Sequence, residues 1–228
     1  MIRRALGLVA ALVLVSGSGA AADDPKDSLH AAVKATADAK TARVAVKQKV
    51  TTAGRSNEST ASGVLARGDQ DLVLSGEGGG SHRVAVGTRV MERRPDAVGQ
   101  PWRESARTAP AQATALGPLT LRDGTSIGDP KLYTSVTDAG AETLPQGQTR
   151  KLVGELDMAA VATAMQVPAA DRTRMAGWSG TVTLWVGPDG KVAKNAVRIV
   201  IPSASGATTI EAEITLDELD APLIVTLP

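Results

Sequence analysis

The spacing of hydrophobic residues changes several times along the chain, and each spacing predicts a different element. Asp24 and Pro25 favour a helix start, and apolar residues then recur at helical intervals to residue 37. From residue 42 the period falls to two, with valines on one side and charged residues on the other, which predicts a half-buried strand. The strands predicted in this half are 42–52, 58–67, 70–76 and a continuation from 82 to about 93, with a flexible glycine-rich turn at 76–81.

The middle of the chain combines helix starts with proline breaks. Prolines interrupt 95–128, which predicts a loop with short strands that could form a mobile flap. Asp129 and Pro130 repeat the helix start and predict a short helix to about residue 138. A strand is predicted at 148–156, followed by a helix that Asp157 caps and Pro168 ends, and by a helical turn at 171–175.

The last third of the chain shows the clearest alternation. Apolar and polar residues alternate over 180–187, 192–202 and 207–217, and a shorter apolar stretch at 223–227 is predicted to close a sheet edge. Alternation of this kind is typical of an antiparallel sheet with one apolar and one wet face. The predicted fold class is therefore α+β, a large antiparallel sheet whose apolar face is covered by two or three helices.

The first 22 residues have the composition of an export signal. Arg3 and Arg4 precede an apolar run at 5–15, and small residues at 16–22 fit cleavage near Ala22. The run is shorter than the roughly 20 residues that a membrane-spanning helix needs. We therefore expect a signal peptide at 1–22, a single domain at 23–228 with no transmembrane span, and a secreted or extracytoplasmic location in the cell envelope.

Composition removes several classes of function. The chain has no cysteine, so disulfides and thiolate metal sites are excluded. Its formal net charge is +1, which gives no electrostatic footprint for nucleic acid. His30 and His82 are the only histidines, and neither has the neighbours of a metal site or a catalytic triad. We predict no cofactor, no metal and no enzymatic activity.

Four segments resemble one family of envelope proteins. They are IGDPKLYTSV at 127–136, VGELDMAAV at 153–161, VTLWVGPDGKV at 182–192 and the closing strand and tail at 214–228. Together they resemble the LolA-like fold and, within it, the LppX and LprG group of mycobacterial lipoproteins. The resemblance implies a curved half-barrel with helices across its concave face, which holds acyl chains or lipidated molecules. Those lipoproteins carry a cysteine after the signal peptide, so its lack here implies a released protein.

Two functions remain open at this stage. The first is a carrier for a lipid or acylated ligand, and the second is an extracytoplasmic protein-interaction or sensor module of the same fold, whose partner would be an envelope protein. The chain has no Phe, which is compatible with an apolar cavity or with helices that sit deeper on the sheet. The apolar pocket is predicted to be lined by Val44, Val46, Val84, Val86, Met158, Val161, Met165, Val182, Leu184, Val197, Ile199 and Ile210.

Overall fold

The computed structural model describes residues 24–66, 68–77, 79–94, 101–106 and 126–228, and these form one open, curved sheet with three helices. Eleven antiparallel strands in the described residues follow the order β6-β5-β4-β3-β2-β1-β11-β10-β9-β8-β7. The predicted half-barrel fold class is confirmed. The strands are β1 Thr41–Thr52, β2 Arg55–Ala66, β3 Asp69–Gly76, β4 Gly79–Val86, β5 Arg89–Arg93, β6 Arg103–Ala106, β7 Tyr133–Leu144, β8 Gly147–Leu156, β9 Ser179–Val186, β10 Val192–Ile201 and β11 Thr208–Asp217.

The pairing register divides the sheet into two faces. Val44 of β1 pairs with Gly63 of β2 and with Leu216 of β11, and directly paired residues place their side chains on the same face. We call the face that carries Val44 the inner face, because the helices pack against it. The face that carries Arg43, which pairs with Val64 and Asp217, is the outer face.

Helix α1 (Pro25–Ala37) begins where the sequence predicts. The Asp24 side chain accepts a hydrogen bond from the backbone N–H of Lys26 at 2.8 Å, and Pro25 occupies the first turn. Near the other end of the helix the Thr36 hydroxyl donates to the Ala32 carbonyl and accepts the N–H of Val192. The second contact ties α1 to the first residue of β10.

Helices α2 (Met158–Ala164) and α3 (Ala169–Met175) follow β8. The Asp157 carboxylate caps α2 by accepting from the N–H groups of Ala159 and Ala160, as the sequence predicts. All three helices join the inner face in one apolar core. Its buried members include Leu29, Val33, Val44, Leu65, Leu132, Leu152, Met158, Val161, Ala162, Met175, Val182, Leu184, Ile214 and Leu216.

The helix predicted to run from Pro130 to about residue 138 is wrong. Only a 3-10 turn forms at Pro130–Leu132, and the chain then enters β7. Tyr133 explains the change, because its buried ring lies against Gly154 of β8, where a Cβ atom would be 2.6 Å from the ring. Its hydroxyl donates to the Ile127 carbonyl. Pairing with β8 supplies hydrogen bonds to the backbone N–H and C=O groups that would otherwise have bonded within a helix.

The predicted edge strand at 223–227 is also wrong. The chain leaves β11 in the middle of the sheet, where β1 and β10 already occupy both neighbouring positions. A segment that follows β11 therefore has no free edge beside it. We call the segment after β11, residues 218–228, the tail. Its residues Val225 and Leu227 instead pack on the outer face, in a second small core with Ala66 and Val84.

Two further predictions concern the first half of the sheet. The glycine-rich turn predicted at 76–81 is shorter than expected, since β3 includes Gly76 and β4 starts at Gly79. Within the predicted loop at 95–128, one short strand, β6, is described. Residues 95–100 and 107–125, on which the mobile-flap prediction falls, lie outside the described residues.

Candidate functional site

The helices bury only part of the inner face. Along β1 the side chains of Ala42 and Val44 are buried, whereas Val46 and Val50 are half-buried. Along β11 burial falls in the same direction, from Leu216 and Ile214 to the half-buried Ala212 and Ile210. We call this less buried part of the inner face the open groove. Its apolar residues are Val46, Val50, Ala61, Leu74, Val197, Ile199, Ile201, Ile210 and Ala212.

One wall of the open groove forms a concavity of about 450 Å³ on strands β1 to β4. Its apolar floor comes from Val46, Ala61 and Leu74, and Gln48 and Ser59 add polar groups. This volume falls within the range of about 300–1,000 Å³ that is typical of ligand pockets. An apolar surface with a few polar groups suits a largely hydrocarbon ligand.

Some of the predicted pocket residues are sealed inside the core. They are each almost fully buried between the helices and the inner face, where they contact one another rather than a groove. A ligand can contact them only if the helices move. This group consists of Val44, Met158, Val161, Val182 and Leu184.

A second group of predicted residues is half-buried and belongs to the inner face or its border. Val46, Val197, Ile199 and Ile210 are in the open groove, and Met165 at the end of α2 packs against the core nearby. The structure therefore brings this group together on one side of the sheet. That they contact a ligand remains a prediction.

Val84 and Val86 do not join the others. The register pairs Val84 with Asp71 and Met91, which are outer-face positions. The alternation in β4 is correct, but the inner face takes Arg83 and Ala85 instead. Val84 is buried on the outer face because the tail residue Val225 covers it. The sequence pattern alone could not show which face the tail covers.

Sequence reasoning missed two polar residues on the inner face, Gln70 of β3 and Arg83 of β4. Gln70 is 1% exposed, and no described residue bonds its side-chain oxygen. The buried Nε of Arg83 is likewise without a hydrogen-bond partner among the described residues. Both residues occupy inner-face positions on strands that also contribute to the open groove. Polar residues at these alternating positions were the sequence signal that could have revealed them.

The two histidines have structural surroundings. The Nδ1 atom of His30 lies 2.9 Å from the Gly128 carbonyl oxygen. On the outer face, His82 contacts Asp71 at 2.6 Å and meets the Trp102 ring edge-on, with ring centroids 4.9 Å apart. Arg93 covers the same indole. The described residues contain no group of three or more side chains that could hold a metal ion.

The rest of the outer face carries paired charges. Lys151 and Lys194 lie over the ring of the buried Trp185, and Lys151 binds Glu142 at 3.0 Å. The hydrogen bond from Lys151 lowers the pKa of the Glu142 carboxyl. The two faces of the sheet therefore differ in chemistry, with charge outside and an apolar groove inside.

A half-barrel of antiparallel strands with helices against its inner face defines the LolA-like fold of the LppX and LprG group, and this chain has that fold. It is similar to the lipoprotein LppX of Mycobacterium tuberculosis, with 13% identity over 89% of this chain and 98% of LppX and a TM-score of 0.56. It also matches LprF of Mycobacterium bovis, with 16% identity over 90% of this chain and 96% of LprF and a TM-score of 0.49. The fold resemblance expected from the sequence is confirmed.

The similarity to LppX is a similarity of fold. No protein-family model and no curated protein matches the chain. Among the described helices, none has the length and apolar character that crossing a membrane requires.

Proposed function

We propose that this protein is an exported carrier that holds a lipid or acylated molecule in the open groove. The observation that carries the proposal is the apolar inner face left half-buried beyond the helices, with its concavity of about 450 Å³. Contiguous apolar surface of this kind is uncommon on a soluble protein unless it binds something. The LppX-like fold and the export signal predicted at 1–22 support the same proposal.

The open groove suits a ligand better than the covered half of the sheet does. Under the helices, Leu152, Val182 and Leu184 are at most 1% exposed and leave no surface for an acyl chain. Each methylene group buried from water contributes about 0.8 kcal/mol. An acyl chain of about ten carbons, if fully buried, would therefore gain about 8 kcal/mol, which offsets much of the cost of association.

A matched pair of substitutions tests the position of the ligand. Ala61 lies in the open groove, whereas Ala45 on the neighbouring strand is exposed on the outer face. Ala61→Trp should fill the groove and reduce binding of a fluorescent fatty acid at least tenfold, which corresponds to about 1.4 kcal/mol. Ala45→Trp adds the same side chain to the other face and should leave binding unchanged. Equal affinity in the two variants would place the ligand elsewhere.

Native mass spectrometry of the protein expressed from its full sequence tests whether it carries a ligand at all. We expect a reproducible added mass that organic extraction releases as an acylated molecule. A mass without ligand, unchanged after incubation with membrane lipids, would contradict the carrier function. It would favour the alternative of a protein-interaction or sensor module of the same fold.

A further inference from the structure

Strands β3 and β4 connect the open groove with two polar residues of the inner face, Gln70 and Arg83. On β3 the inner-face residues are Leu74, Leu72 and Gln70, in order of increasing burial. Opposite them on β4 lie Ser81, Arg83 and Ala85. The apolar surface of the groove therefore meets one amide and one guanidinium group on adjacent strands.

Gln70 is the less expected of the two groups. Its side chain is 1% exposed, yet its Oε1 atom has no hydrogen-bond partner in the described part of the chain. A buried polar atom without a partner destabilises the folded state. Such atoms are rare in folded proteins, and a functional role is one explanation for their presence. Oε1 can accept a hydrogen bond from a hydroxyl or an amide N–H.

Arg83 supplies the complementary group. Its Nε atom is buried without a hydrogen-bond partner, and it forms no ion pair within the described residues. Glu92 is its register partner on β5, but the Glu92 side chain is exposed and no salt bridge joins the two in the described part of the sheet. A guanidinium with a free donor suits an oxygen anion such as a phosphate or carboxylate.

Gly63 of β2 lies beside these groups, close to the backbone of β3. It lies in the same register row as Leu72 and Arg83, and it adds no side chain to the inner face there. A Cβ atom at this position would lie 1.8 Å from the carbonyl oxygen of Asp71, so β2 and β3 are in close contact there and a larger residue could not be accommodated without moving β3.

We propose that Arg83 and Gln70 bind the polar end of the ligand, and that this ligand is an acidic lipid with a hydroxyl or amide N–H beside its anionic oxygen. Both polar atoms are buried in this structure, so the side chains around them must shift before Arg83 can donate to the anion and Gln70 can accept from the neighbouring donor. The acyl chain then extends along Leu72 and Leu74 into the open groove. This inference rests on the proposed carrier function. It adds the chemical class of the ligand and its direction in the groove.

Binding of two short-chain lipids with identical acyl chains tests the inference. Dihexanoyl phosphatidylglycerol offers a phosphate and free hydroxyls. Dihexanoyl phosphatidylcholine keeps the phosphate, but its quaternary ammonium cannot donate to Gln70. We expect the full-length protein to bind the glycerol lipid about tenfold more tightly by isothermal titration calorimetry, because only that lipid satisfies the buried Gln70 oxygen.

The variants separate recognition from folding. Gln70→Leu should weaken the glycerol lipid alone and bring the affinity ratio near one, while the melting temperature stays equal or rises because an unpaired buried oxygen is removed. Arg83→Met should weaken both lipids and Arg83→Lys should restore part of the loss. Arg89→Met is the control, because Arg89 binds Glu104 on the outer face and should keep the ratio.

Each contrary result has a distinct meaning. Equal binding of both lipids by the unmodified protein, or an unchanged ratio in Gln70→Leu, overturns the inference and leaves the carrier function intact. Glycerol phosphate binding as tightly as the glycerol lipid overturns a lipid as the source of the phosphate. Binding of neither lipid, together with failure to bind the fluorescent fatty acid, overturns the carrier function and the inference with it.

Discussion

At the scale of single residues, close approaches between neighbouring strands decide which side chains the sheet accepts. Gly154 makes room for the ring of Tyr133, and Gly63 allows β2 to approach the backbone of β3. Burial of the Tyr133 hydroxyl also raises its pKa, so it stays a neutral donor to the Ile127 carbonyl. Each glycine therefore has a steric reason that comes from a residue on the next strand.

Gly63→Ala tests this explanation. The added methyl would overlap the Asp71 carbonyl oxygen, so we expect the free energy of unfolding to fall by about 3 kcal/mol in urea denaturation. Gly76→Ala in β3 is the control. Its Cβ would have its nearest neighbour at 3.4 Å, and we expect a change within about 0.5 kcal/mol. Similar stability of the two variants would contradict the close approach of β2 to β3 at this point.

At the scale of elements, Asp220 joins three connections at one end of the sheet. Its carboxylate accepts from the N–H of Lys40, between α1 and β1, and from the ammonium of Lys191, between β9 and β10. Its own N–H donates to the Thr41 carbonyl at 3.0 Å. The hydrogen bond from Lys191, and then that from Lys40, lowers the pKa of the Asp220 carboxyl.

This contact should make stability depend on pH. A lowered pKa in the folded state means that the Asp220 contribution is present above the unfolded pKa of about 3.9 and is lost as pH falls through the folded value. Asp220→Asn should therefore melt at a lower temperature than the unmodified protein at pH 7. The difference should narrow as the pH is lowered to 3 and below, where the carboxylate becomes protonated. A difference in melting temperature that stays constant from pH 7 to pH 3 would exclude the ionised Asp220 carboxylate as its cause.

At the scale of the whole molecule, apolar cores lie on both faces of the sheet. The larger core holds the helices against the inner face, and the smaller one holds the tail residues Val225 and Leu227 against Ala66 and Val84 on the outer face. The tail therefore connects the end of β11 with β2 and β4, which lie two and four positions from β11 in the sheet order.

Two neighbouring tail residues test the second core. Val225 is 8% exposed, whereas Ile224 is 82% exposed. Val225→Ser should lower the free energy of unfolding by about 2 kcal/mol, because it removes buried apolar surface. Ile224→Ser, read by the same thermal and urea unfolding measurements, should have almost no effect. If both substitutions were neutral, the tail would contribute nothing to stability and Val84 would need another cover.

Local patterns in the sequence determined most of the elements and the character of the inner face. Asp24 and Asp157 each cap a helix by accepting hydrogen bonds from backbone N–H groups two or three residues later in the chain. The alternation in β1, β9, β10 and β11 follows from burial of one face of each strand. The helix predicted after Pro130 failed because Tyr133 depends on Gly154, a residue on another strand. The sequence also indicated the fold family, through segments that belong to these same elements.

Only the tertiary structure decided which residues meet. The pairing of Thr52 with Thr208 places β1 beside β11. The tail that follows β11 therefore has no free sheet edge to pair with, and it packs on the outer face instead. The tail in this position buries Val84 on the outer face, away from the groove. Arg83, the preceding residue of β4, therefore lies on the inner face near Gln70. The alternation of a strand shows that its two faces differ, but the face that becomes the interior depends on contacts with chain segments distant in sequence.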